Sequence, residues 1–109
     1  MTSATASASV VVIVDNDHGA RVRLRALLEG AGYAVFTASD GAAALALLRS
    51  LPVLPRLVLL DPRMPIMDGW QFLDAKRADP AWQSVAVVMH KKMSDSDILA
   101  IAERICSTS

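Results

Sequence analysis

Two aspartates stand where a carboxylate can act on a bound group. Asp61 follows directly on Leu57-Val58-Leu59-Leu60, an apolar run bounded by Pro55 and Pro62. Such a run reads as a short strand buried on both faces, which puts the carboxylate at the strand's C-terminal end. In an open α/β sheet, ligands bind in the crevice outside the carboxyl ends of the strands. Asp15 follows Val10-Val11-Val12-Ile13-Val14 in the same way, at the head of Asp15-Asn16-Asp17. A carboxylate in that crevice can serve as a nucleophile in group transfer or as a hard oxygen ligand for a cation. A third apolar run, Val85-Ala86-Val87-Val88-Met89, ends at His90 and Lys91, which bring nitrogen donors to the same side.

The elements that must position these residues can be read from the rest of the chain. Asp17 is a helix cap, and Ala20, Leu24, Leu27, Leu28 and Ala31 then fall on one helical face, with Gly30 and Gly32 as the stop. Ala34-Val35-Phe36-Thr37 reads as a short second strand. Ser39-Asp40-Gly41 opens an Ala/Leu helix to about Arg49, with Ala44, Leu45 and Leu48 inward. Asp68-Gly69 leads into a helix with Trp70, Phe72 and Leu73 that ends near Asp79-Pro80. Ser94 and Asp97 form a variant capping box for the last helix, whose apolar face is Ile98, Ile101, Ala102 and Ile105. Strand and helix thus alternate four times, the pattern of a parallel sheet with right-handed crossovers. The methionines and Trp70 read as packing or loop-anchoring groups, and Trp82 as a residue on a surface loop.

Composition narrows the class. The 109 residues suit one domain, and a hydrophobic fraction of 53% with 20% charged residues suits a compact α/β fold. Eleven basic residues balance eleven acidic ones, which argues against nucleic acid or a membrane surface as a partner. The one cysteine, Cys106, can form no internal disulfide, so a reducing, cytoplasmic setting is expected. No apolar run approaches the ~18 residues of a membrane span. Residues 1–9 lack a basic start and read as a flexible tail rather than a signal peptide.

Many strands end in an aspartate, but this one continues as Asp61-Pro62-Arg63-Met64-Pro65-Ile66-Met67-Asp68-Gly69. The segment L-L-D-x-x-M-P-x-M-D-G resembles the phosphoacceptor segment of bacterial response-regulator receiver domains. The likeness runs from about Val10 to Ile105. Leu27-Leu28-Glu29-Gly30-Ala31-Gly32-Tyr33, Ala38-Ser39-Asp40-Gly41 with Ala44-Leu45, and Arg77-Ala78-Asp79-Pro80 also look like that family. It implies a flavodoxin-like, three-layer α/β fold with a parallel sheet, four βα units being present over residues 10–109. It also implies a switch rather than an enzyme. Asp61 would be phosphorylated by a sensor histidine kinase or phosphotransfer protein, with Mg²⁺ held by Asp15, Asn16, Asp61 and the backbone carbonyl of Arg63.

Three departures from the family pattern carry consequences. Asn16 stands where the family has an acid, which removes one negative charge. At an effective dielectric of about 20, a unit charge at about 4 Å is worth roughly 4 kcal/mol as an upper guide, so weak Mg²⁺ binding is expected. His90 stands where the family has a Ser or Thr hydroxyl, and His90 and Lys91 are the candidates for contacting the phosphoryl group. No residue matches the family's lysine-proline step, fifth strand and fifth helix, so the domain is expected to be C-terminally incomplete. In the family's strand order, 2-1-3-4-5, Val85–Met89 is then an edge open to a homodimer or another partner. These departures sustain an alternative, a degenerate receiver that works by protein contact without phosphorylation. A third reading takes Asp15-Asn16-Asp17 as the D-x-D of haloacid-dehalogenase-type phosphatases. The His18-Gly19 that follows and the short chain argue against it.

Overall fold

The computed structural model describes residues 9–64 and 67–107. The expected tail lies outside these except for Ser9, as does the Pro65-Ile66 step of the central motif. Four strands and four α-helices alternate: β1 (Val10–Val14), α1 (His18–Gly30), β2 (Ala34–Ala38), α2 (Gly41–Ser50), β3 (Leu57–Leu60), α3 (Gly69–Ala78), β4 (Ala86–Met89) and α4 (Asp95–Ser107). A short 3₁₀ turn, Pro80–Trp82, joins α3 to β4. The sheet is wholly parallel in the order β2-β1-β3-β4, the flavodoxin-like arrangement.

Side chains alternate across a strand, and here both faces are covered. Val11, Ile13, Leu57 and Leu59 pack with Leu24 and Leu28 of α1 and Ile98 and Ala102 of α4. Val12, Val14, Val58 and Leu60 pack on the other face with Ala44, Leu45 and Leu48 of α2 and Phe72 of α3. This is why β1 and β3 are uninterrupted apolar runs in the sequence. β4 differs, since all four of its residues are only half-buried and its far edge has no neighbouring strand among the described residues.

Local chemistry sets the boundaries. Asp17 caps α1 through the Gly19 N–H, Asp40 caps α2 through Ala43, and Asp68 and Gln71 form a reciprocal box at α3. Ser94 and Asp97 do the same for α4, the variant box expected from the sequence. Gly30 does not stop α1 but belongs to it. The stop is Gly32, at φ 100°, whose N–H reaches Glu29 while Tyr33 bonds back to Leu28. Val85 precedes β4 because its N–H bonds to Trp82, whereas Ala86 opens the ladder by bonding to Arg56.

The two tryptophans exchange the roles expected of them. Trp70 is 63% exposed on the first turn of α3, whose inward position is Phe72. Trp82 is 4% exposed, because the 3₁₀ turn folds the loop back and drives the indole into the α2–α3 core. The Arg49 guanidinium sits 5.8 Å from its ring centroid.

Candidate functional site

The register of the sheet builds the site. Val14 pairs with Ala38 on one side and Leu60 on the other, and Leu60 pairs with Met89. The strands therefore end level, and the next residue of each continues the ladder by one bond. Asp15 N–H donates to Ala38, Asp61 N–H to Val14 and His90 N–H to Leu60, at 3.1, 2.9 and 3.1 Å. Asp15, Asp61 and His90 thus emerge side by side at the carboxyl edge of β1, β3 and β4.

Both carboxylates are buried, Asp15 at 4% exposure and Asp61 at 9%. Each is fixed by the turn that follows it. Asp15 Oδ1 accepts the Asp17 N–H at 2.8 Å, and Asp61 Oδ1 accepts the Arg63 N–H at 3.0 Å. Asp15 Oδ2 lies 3.0 Å from His90 Nε2, a nitrogen shielded from solvent that makes no hydrogen bond. The two atoms approach without hydrogen-bond alignment. Burial pushes the Asp15 carboxyl above its ordinary value of 3.8. The Asp17 N–H and His90 pull it down, and the Asp61 carboxylate beside it pushes it further up.

These groups line a cleft of about 360 Å³ whose floor is acidic and whose wall carries Arg23, Lys91 and Lys92. Asn16 and Asp17 are exposed on it, and Asp17 is engaged in capping α1. Lys91 is exposed in the turn after β4, where Lys92 adopts φ 65° and the Met93 N–H closes on His90 O. Sequence reasoning missed two arginines. Arg21 donates to the Asp15 carbonyl at 2.7 Å and so braces the first turn, and Arg23 pairs with Asp95 to tie α1 to α4 beside the cleft. Neither belongs to a motif, and each finds its partner only once the helix is docked.

Among the described residues, no three His, Cys, Asp or Glu side chains are grouped to hold a metal ion. Two carboxylates with amide, carbonyl and water oxygens are instead the usual set for a hard cation such as Mg²⁺, so the donor chemistry fits that ion.

Against known proteins, residues 11–104 match the response regulator receiver domain. This chain belongs to that family. Response regulator Rre1 of Synechocystis sp. is 38% identical over 79 residues, covering 72% of this chain and 33% of Rre1. Sporulation initiation phosphotransferase F of Bacillus subtilis is 32% identical over 89 residues, covering 82% of this chain and 68% of its own length. The chain therefore spans about a third of the first relative and two-thirds of the second. In fold, it resembles the receiver domain of sensor histidine kinase PA1611 from Pseudomonas aeruginosa, with TM-score 0.80 at 17% identity over 93% of this chain and 99% of that one. That structure has a magnesium ion coordinated in its active site cleft. A receiver domain is a signalling module of two-component systems, and this one has no helix among its described residues that is long and apolar enough to cross a membrane.

Proposed function

We propose that this receiver domain is a phospho-accepting switch with Asp61 as the acceptor. The observation that carries the reading is the convergence of two buried carboxylates, Asp15 and Asp61, on one cleft at the carboxyl edge of the sheet. Asp61 Oδ1 is held by the Arg63 N–H, which leaves Oδ2 to attack the phosphorus of a phosphohistidine on a sensor kinase or phosphotransfer protein. A P–O bond forms, the P–N bond breaks, and the released imidazole takes up a proton. Asp15, the Asn16 side chain, Asp61 and the Arg63 carbonyl would hold Mg²⁺. Bound there, the ion would supply positive charge to offset that of the carboxylates and the incoming phosphoryl group. His90 and Lys91 stand at the edge where those oxygens arrive, and Arg23 and Lys92 add positive potential on the wall. The reaction belongs to the cytoplasm, where such donors are made, and the open edge of β4 is the surface for self-association or a protein partner.

The test is intact mass after incubation with Mg²⁺ and a small phosphodonor such as acetyl phosphate. The wild type should gain one phosphoryl group, and Asp61→Asn should gain none. An adduct that survives in Asp61→Asn would remove Asp61 as the acceptor. The second reading, a receiver that signals by contact alone, draws on the His90–Asp15 approach, which occupies part of the site. A wild type that stays unlabelled would favour it.

A further inference from the structure

We infer that His90 is a built-in competitor for the cation at Asp15, an imidazole latch that sets how readily the cleft takes Mg²⁺. The inference rests on reading this cleft as the phospho-acceptor's cation site.

His90 Nε2 stands 3.0 Å from Asp15 Oδ2. The other oxygen, Oδ1, is already committed to the Asp17 N–H. Oδ2 is the oxygen that faces the imidazole, and the ring occupies one approach to it. The ring serves poorly as a ligand in its own right, because Mg²⁺ takes hard oxygen donors. A cation that comes to Oδ2 from that side must displace the ring.

The backbone around His90 shows how the latch must move. Its N–H is tied to Leu60 O in the ladder, and its carbonyl is tied to the Met93 N–H across the turn that holds Lys92 at φ 65°. With the main chain pinned on both sides, the ring leaves Asp15 by rotating about its own side-chain bonds. An arriving hydrogen-bond partner favours that rotation. Nε2 is cut off from water and makes no hydrogen bond, and a buried nitrogen in that state gains by turning toward a partner. A phosphoryl oxygen arriving in the cleft is such a partner. The same side chain then opposes the empty site's cation and welcomes the loaded site's anion.

Mg²⁺ titration of the full chain followed by NMR, with imidazole nitrogens observed, tests this in the wild type and in His90→Ser and His90→Ala. Both variants should bind Mg²⁺ about tenfold more tightly than the wild type. In the wild type, the His90 Nε2 resonance should move in step with occupancy. Melting temperatures without the ion separate this from a folding defect, since a merely structural His90 would lower them and leave affinity unchanged. Equal or weaker binding in both variants overturns the latch, and weaker binding would make His90 a ligand. A His90 resonance that stays fixed at saturation overturns it as well. A wild type that takes no phosphoryl group, beside variants that bind Mg²⁺ tightly, would leave the latch standing and remove the phospho-acceptor reading instead.

Discussion

Asp15 illustrates how one buried side chain can weaken the fold it belongs to. Its carboxyl sits above the ordinary value of 3.8 because burial disfavours the charge, so the folded state holds its proton at pH values where the unfolded state has released it. Stability therefore falls as pH rises from about that ordinary value toward the raised one, and the cost remains in place above it. Asp15→Asn, measured without divalent cations, should melt higher than the wild type at neutral pH. The gain should fade as pH drops below the ordinary carboxylate value. A variant that melts lower at pH 7 would show that the Asp17 N–H and His90 contacts outweigh desolvation. Asp15 and Asp61 were both legible in the sequence, since each directly follows an uncharged run. The contact between Asp15 and His90 was not. It joins the ends of β1 and β4, which are not neighbours, and depends on two successive strand registers that no local pattern encodes.

Among the elements, the start of α2 is tied to the loop that follows Asp61. Gly41 N–H donates to the Met67 carbonyl at 3.2 Å. A methyl group at Gly41 would lie 2.7 Å from that carbonyl oxygen and 2.7 Å from Met67 Cγ. Backbone cannot yield as a side-chain tip can, so Gly41→Ala should cost about 1–3 kcal/mol and push the loop outward. Urea unfolding gives the cost, and amide shifts confined to the loop would show the displacement. A midpoint equal to the wild type's would mean that the two segments separate freely. Strand and helix identities were readable because β-branched runs, caps and spacing agree with one another. The tryptophans were misread for want of a single turn. Pro80–Trp82 looked like open loop, yet Asp79 caps it by accepting the Ala81 N–H, and the turn buries the indole that follows. Trp70 shares the apolar character of Phe72 but falls on the opposite side of the same helix.

At the scale of the whole molecule, the layers are complete over β1 and β3 and thin out at β4. Val87 and Met89 lie against one core and Ala86 and Val88 against the other, and all four are partly open. An uncharged strand without proline or lysine, at an edge with no neighbouring strand among the described residues, is a template for another strand. Sedimentation of this chain at micromolar concentration should show reversible self-association, and the β4 amides should exchange more slowly as concentration rises. A monomer whose β4 amides are slow at every concentration would show that the edge is already protected. The order of the strands has a consequence for synthesis. β1 is made first, yet its second partner, β3, is complete only at Leu60, fifty residues after Val10. At roughly 5–20 residues per second, that interval is on the order of 3–10 s. For those seconds a nascent chain carries Val10–Val14, a segment fit for pairing on either side, with half of its permanent neighbours not yet translated. A strand buried along its whole length in the folded domain is thus the one a ribosome-bound chaperone meets longest.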